Sequence, residues 1–356
     1  MKVAFIARST LYTVPGGDTV QIVQTAKQLA FMDIATEIKL ADDEINYGKY
    51  DLLHFFNLIR PADILYHSRK AQKPFVVSTI LCDYSEYDQK HRKGLGRLLK
   101  YLSADSVEYV KGVARYLLGR DKLVSFVYIW QGHRKSILDI LKRSAMILPN
   151  SASEYRRVSN SYPIPVKHSV IPNGTDEHLF RYDQSVAKDD KLVICAARIE
   201  GIKNQLNLIR ALNNTSYRLL IIGKHAPNQT AYYKECRDIA AENITFIEQL
   251  PQKELVKYYQ QAKVHVLPSW FETTGLSSLE AALMGCGIVV SDKGDVRDYF
   301  SDNAFYCDPA SPQSILAAVT QASEAPVNNN LRDIILQKYT WKQAAKETLK
   351  AYQSVI

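Results

Sequence analysis

The chain has 356 residues, 46% hydrophobic and 23% charged, a soluble-globular balance that excludes a disordered or collagen-like polymer and suits two domains of roughly 150 residues or more. Its five cysteines, at 82, 195, 236, 286 and 307, form no C-x-x-C pair, which argues against a disulfide scaffold or zinc site and fits a reducing cytosol. The net charge of +8 is concentrated. Between Glu86 and Arg143 thirteen Lys and Arg face six Asp and Glu, a field that calls for an anionic partner or is a solvated face.

In chain order, Val3–Ala7 reads as a strand. As an apolar run it is too short for a secretory leader, and no stretch approaches the length of a membrane span. A turn-rich loop ending in Pro15-Gly16-Gly17-Asp18 follows, and then Val20, Val23, Ala26 and Leu29 recur at helical spacing. Strand, glycine loop and helix open a doubly wound sheet. Further strands are predicted at Ile38–Leu40, Leu52–Phe56, Phe75–Thr79 and Met146–Leu148, with the basic helical stretch between the last two. A second cycle follows Pro172-Asn173-Gly174, with strands at Leu192–Ala196, Leu219–Ile222, Ile244–Phe246, Val264–Leu267 and Ile288–Val290. The alternation predicts an α/β protein of two Rossmann-like, parallel-sheet domains with a ligand crevice between them. The expected domains are 1–170 and 171–337, with a terminal helix over 338–356 rejoining the first.

Two stretches carry candidate chemistry. After the strand ending at Leu267 come a loop with Glu272 and a helix starting near Thr274 or Gly275, which Thr273 or Thr274 could cap and Gly285 ends. Its N-terminus is a natural anion site. The eight-residue spacing lets Glu272 and Glu280 accept hydroxyls at the two ends of one ligand. The bland alternative is a loop charge and a solvated helix face, which suits Glu280 poorly among Leu279, Ala281, Ala282 and Leu283. After the strand ending at Ala196, Arg198 and Lys203 make a fork suited to a diphosphate, or else an ordinary surface pair. His54 is either a satisfied structural histidine or faces the cleft. Cys82 has no base nearby in sequence to make it a nucleophile. No Asp-x-Asp metal motif occurs.

Together these elements resemble family 4 of the retaining GT-B glycosyltransferases. Glu272 to Glu280 matches its E-x7-E signature, and Arg198 with Lys203-Asn204 its diphosphate turn. Ile171-Pro172-Asn173-Gly174 matches its hinge, Leu219–Gly223 its L-x-I-x-G strand and Pro15-Gly16-Gly17 its N-terminal loop. The resemblance implies a GT-B fold with the active site in the cleft. Arg198 and Lys203 would bind the diphosphate of a UDP- or GDP-linked sugar, and Glu280 the ribose. Glu272 with Thr273, Thr274, Gly275 and Leu276 would hold the sugar and its phosphate, and Gly16 and Gly17 would close on that phosphate. Catalysis would fall to Glu272, Arg198 and Lys203, with no metal and no cofactor. The acceptor would be a glycan or glycolipid, lipid-linked or (lipo)polysaccharide. The enzyme would be cytoplasmic or peripheral on the inner membrane face, with the basic segment 86–143 toward anionic lipid and no nucleic-acid partner.

The chain departs from the family where E-G-F-G becomes Glu272-Thr273-Thr274-Gly275 and where Glu248 replaces the glycine after Phe246-Ile247. It departs again where Cys82, followed by Asp83, stands in place of the acceptor-side histidine. Cys82, Asp83 and His54 are therefore the acceptor-side candidates. The rivals are a dehydrogenase, which lacks its G-x-G-x-x-G, a GT-B-like sugar-nucleotide epimerase, and a non-catalytic carbohydrate-binding protein.

Overall fold

The computed structural model describes residues 1–91, 104–117, 125 and 127–356. These divide into two compact units. One comprises 1–85, the described residues of 95–173, and 341–356. The other comprises the described residues of 86–94 together with 174–340.

The first unit holds strands β1 (Lys2–Ala7), β2 (Ala35–Leu40), β3 (Leu52–Phe56), β4 (Phe75–Ser78) and β5 (Met146–Ile147) in the order β2-β1-β3-β4-β5, all parallel. Helices α1 (Gly17–Ala30), α2 (Pro61–Ala71), α3 (Ala104–Leu117), α4 (Val127–Gln131), α5 (His133–Arg143) and α6 (Ala152–Ser161) follow the expected alternation. β1 and β3 are apolar nearly throughout because helices cover both faces of a parallel sheet. On one face Ala4, Ile6, Leu53 and Phe55 pack with Val77, Ile137, Ile140 and Ile147 into one core.

In the second unit lie β6 (Asp189–Ala196), α7 (Gln205–Leu212), β7 (Arg218–Ile222), α8 (Thr230–Ile239), β8 (Ile244–Ile247), α9 (Gln252–Gln261), β9 (Ala262–Leu267), α10 (Leu276–Leu283) and β10 (Gly287–Ser291). They continue with α11 (Val296–Phe300), β11 (Phe305–Cys307), α12 (Pro312–Glu324) and α13 (Asn329–Lys338). Its sheet runs β11-β10-β9-β6-β7-β8, again all parallel. The final helix, α14 (Trp341–Gln353), belongs to the first unit.

Strand order reverses between β1 and β3 in one sheet and between β6 and β9 in the other. Ligands of open α/β sheets bind beyond the carboxyl ends of strands at such switch points. The loops carrying Arg198–Lys203 and Glu272 follow β6 and β9, so both candidate stretches meet at one switch point.

Three details differ from the expectation. The edge strand β11 was not foreseen, since three residues carry little periodicity. The buried stripe of α1 is Gln21, Ile22, Thr25 and Leu29, with Val23 38% exposed. Gln21 tolerates burial because its amide donates to Asn150 at 2.9 Å. The third is the start of α10. Neither Thr273 nor Thr274 caps it; Gly275 does, at φ 72°, without a side-chain bond. Thr274 donates instead to the Tyr299 hydroxyl at 3.2 Å. Only a residue lacking Cβ takes this left-handed conformation at little cost.

Candidate functional site

Beyond β6 the chain makes a 3₁₀ turn, Gly201–Lys203, and Asn204 takes a left-handed conformation at φ 60°. The buried Asn204 amide donates to Pro268 O at 3.1 Å and Pro309 O at 2.7 Å. Trp270 N–H donates to Ile202 O at 2.8 Å. These bonds fasten the loop after β6 to the loop after β9 and bring Lys203 Nζ to 2.5 Å from Glu272 Oε2.

Ser269 Oγ donates to the same carboxylate oxygen at 3.1 Å. Behind it, Gly294 forms a backbone bridge with Glu272, and Asp295 N–H donates to Glu272 O at 2.8 Å. A Cβ on Gly294 would collide with the Glu272 backbone, and one on Gly223 with the Ala197 carbonyl. Both glycines are close-approach positions that hold the two loops in place.

Burial works against the charge on Lys203, whose side chain is 18% exposed, but the Glu272 carboxylate outweighs it and holds the ammonium pKa above its usual value. Arg198 is 48% exposed and pairs with Glu200 at 3.0 Å. Of the two residues of the expected fork, Lys203 is enclosed and Arg198 accessible, and each is already beside a carboxylate.

Glu280, one and a half turns into α10, is buried. Its Oε1 accepts from Gln252 Nε2 at 2.6 Å and its Oε2 from the Tyr259 hydroxyl at 3.4 Å. Burial pushes its pKa up to about 7, against the opposing pull of those two donors. Between the two carboxylates lies the α10 N-terminus, where Thr273 and Leu276 are half-buried and Thr274 and Gly275 are buried. In its first turn Ser278 Oγ is buried and has no hydrogen-bond partner among the described residues. An anion seated on the first-turn N–H groups fits that unmet polar capacity. Ser269, Gln252, Tyr259, Ser278 and Gly294 escaped the sequence analysis. Only the Asp-Lys-Gly-Asp turn around Gly294 could have drawn notice.

At the first unit's switch point, Gly16 is the N-cap of α1 and its N–H donates to Thr19 Oγ1 at 3.0 Å. A Cβ there would come to 3.0 Å from Asp18 Oδ1, so the Asp18–Arg8 pair supplies a local reason for this glycine. Gly17 begins α1. His54 is buried, with Nδ1 2.6 Å from the Tyr352 hydroxyl and Nε2 2.9 Å from Ser78 Oγ. Burial drops its pKa to about 3. With both nitrogens occupied inside the unit, it is a satisfied structural histidine and not an acceptor-side group. Cys82 is half-buried, with Sγ 3.9 Å from Ile80 O. Asp83 is exposed and accepts from Ser85 N–H at 2.9 Å.

The loop before Cys82 is clamped from α6. The buried Glu154 carboxylate accepts from the Thr79 hydroxyl, from Leu81 N–H at 2.8 Å and from Asn150 N–H at 2.8 Å. Of the basic segment, Arg92, Lys93, Arg97, Lys100, Arg120 and Lys122 lie outside the described residues. Among the described residues, no three His, Cys, Asp or Glu side chains gather to hold a metal.

Residues 177–341 match the family described as Glycosyl transferases group 1. An uncharacterised glycosyltransferase of Methanocaldococcus jannaschii is 29% identical over 188 residues, 49% of this chain and 47% of the relative. The chain thus matches about half the length of its curated relatives. Sucrose-phosphate synthase from Thermosynechococcus elongatus superposes with TM-score 0.76 at 15% identity, over 99% of this chain and 98% of that one. HepE of Anabaena, solved with UDP-glucose, gives 0.74 at 16%, over 99% and 100%. The fold is GT-B.

Proposed function

We propose that this chain is a glycosyltransferase that moves a sugar from a UDP- or GDP-linked donor to a glycan or glycolipid acceptor, with retention at the anomeric carbon. The carrying observation is the Lys203–Glu272 pair at the switch point, beside the α10 N-terminus and eight residues before the buried Glu280. The family match over 177–341 and the UDP-glucose bound by HepE support it.

In the ligand-free chain Glu272 is the counter-ion of Lys203. The donor diphosphate takes over Lys203, joined by Arg198 and the α10 N–H groups, and frees Glu272 to accept sugar hydroxyls. Glu280 accepts the ribose hydroxyls. In a front-face displacement the bond from the anomeric carbon to the diphosphate oxygen breaks and its electron pair stays on that oxygen. The acceptor oxygen bonds to the same face and its proton passes to the leaving phosphate. Charge growing on the leaving group meets the two cations and the helix end, which act most strongly where charge develops. In this reading the two cations supply the positive charge that a metal ion would otherwise bring, and transfer is assigned no metal ion and no cofactor.

The acceptor is lipid-linked or a (lipo)polysaccharide, presented at the inner face of the membrane, where the basic segment meets anionic lipid. No helix among the described residues is long and apolar enough to cross a membrane. Trp130, 91% exposed, projects from α4 within that basic segment, as suits a side chain resting in a lipid interface.

A thermal-shift screen of UDP- and GDP-sugars, followed by transfer assays with and without EDTA, tests the assignment. One donor class should stabilise the chain, transfer should persist in EDTA, and anionic liposomes should co-sediment it in a salt-sensitive way. Binding of no nucleotide sugar would overturn the proposal. Release of nucleotide with an epimerised sugar and no acceptor would point to the epimerase.

A further inference from the structure

We propose that Tyr87 and His91 are positioning residues of the donor site, holding the loops of Lys203 and Glu272 in the geometry that transfer requires; this rests on the donor assignment above. The described residues of this stretch, 86–91, group with the second unit, although the described residues before and after them in sequence, up to Ser85 and from Ala104, group with the first. Within them Tyr87–His91 form a single π turn, a conformation concentrated at functional sites. Positions four apart in a helical turn lie on one side of it.

Three contacts bind this turn to the site. The Tyr87 hydroxyl lies so close to Gly201 that a Cβ there would collide with it. The His91 ring stacks on Trp270, with centroids 3.6 Å apart and planes at 18°. Glu86 Oε2 accepts from Lys293 Nζ at 2.8 Å. Each point touched neighbours a site residue: Gly201 opens the turn that ends at Lys203, Trp270 stands two residues before Glu272, and Lys293 precedes the Gly294 that backs Glu272. The Trp270 backbone N–H donates to Ile202 O, so the residue on which His91 stacks is itself tied to the Lys203 turn. Loops hold reacting groups loosely unless something braces them, and a misplacement of about 1 Å costs on the order of 10²-fold in rate. None of these contacts involves Glu280, so the proposed ribose contact is left untouched.

The test compares Tyr87→Ala, His91→Ala and Gly201→Ala with wild type, using whichever UDP- or GDP-linked hexose binds. The readouts are donor KM, kcat, the ratio of donor hydrolysis to transfer, and Tm. Expected for Tyr87→Ala and His91→Ala are a fall in kcat of about tenfold or more, a donor KM within about threefold and a raised hydrolysis ratio. An added Cβ at 201 meets the far end of a flexible side chain, so Gly201→Ala should displace Tyr87 and reproduce Tyr87→Ala with Tm nearly unchanged. The Gly201→Ala/Tyr87→Ala double variant should be no worse than either single one. Unchanged kcat and product ratio in the Tyr87 and His91 variants of a donor-binding enzyme would overturn this inference alone, as would losses that multiply in the double variant. Failure of the wild type to bind any nucleotide sugar would overturn the donor assignment and this inference with it.

Discussion

The two switch points share a topology and treat their cations in opposite ways. In the first unit, Arg8 Nε lies 2.6 Å from Asp18 Oδ2 and Nη2 3.0 Å from Oδ1, while Nη1 and Nη2 also donate to the Thr10 and Val14 carbonyls at 2.7 and 2.8 Å. Asp18 is half-buried, which favours its neutral form, but the guanidinium prevails and holds the carboxyl pKa below its usual value. In the second unit, Lys203 is a point charge facing the single carboxylate of Glu272. A guanidinium fork spent on a carboxylate and two carbonyls is a fastener. An ammonium on a flexible stem facing one carboxylate can change partners, as the proposed donor diphosphate would require. One loop is built to stay and the other to exchange.

The largest effect should come from breaking the exchangeable pair. Lys203→Ala should lower turnover on the order of 10²–10³-fold. It should also lower Tm, because Glu272 is left enclosed without its counter-ion. The charge-free pair Lys203→Met with Glu272→Gln should recover most of the lost Tm and none of the turnover. Recovery of both would place the chemistry elsewhere.

Breaking the fastener should act on stability. Arg8→Ala should cost about 3–5 kcal/mol in denaturant unfolding, as expected for one partner removed from an enclosed pair, with kcat per folded molecule preserved. A stable Arg8→Ala protein without activity would give the loop at Gly16 and Gly17 a part in transfer beyond fastening.

Glu280 sharpens the contrast through pH. Its pKa rises from 4.5 to about 7 on folding because burial favours the neutral form. The stability this gives is fully present below 4.5 and is lost as pH rises through about 7, amounting to about 3 kcal/mol. Glu280→Gln carries no such term. Its Tm should exceed wild type at pH 8, match it near pH 4.5, and come with weaker nucleotide binding. Equal Tm differences at both pH values would remove Glu280 from the titration.

The smallest effect separates two buried histidines, one on β3 and one on β9. Burial lowers the pKa of each to about 3, so both favour the fold above 6.5 and cost stability as pH falls below it. His54 has two partners, whereas neither nitrogen of His265 has one among the described residues. His265→Leu should be neutral or stabilising, and His54→Leu should cost about 1–3 kcal/mol by stranding Tyr352 and Ser78.

What could be read from the chain followed from periodicity and from local spacing. Apolar runs such as Leu52–Phe56 announced a parallel sheet, and Glu272 with Glu280 announced a paired site because eight residues separate them across one helix start. What escaped depends on approaches between distant segments. Gly201 looks like any turn glycine until Tyr87 arrives against it. Gln252 and Tyr259 become partners of Glu280 only once α9 lies beside α10. The Thr caps failed for a local reason: with Gly275 left-handed, the first N–H groups of α10 stay open instead of being filled by the chain's own hydroxyl.

The return of α14 to the first unit bears on the order of assembly during synthesis. Tyr352, buried, holds His54 across a sequence separation of 298, and Trp341, Ala345 and Ala351 are buried in the same helix. A ribosome releases β1 to β5 long before these residues exist. Domains fold as units while the chain emerges, yet this unit lacks one covering helix until its final segment is free. The second unit, complete at Thr340, has every strand of its sheet in hand earlier. The half made first is therefore finished last. A chain halted at residue 340 should expose the α1 face to chaperones and proteases, while its second unit resists both.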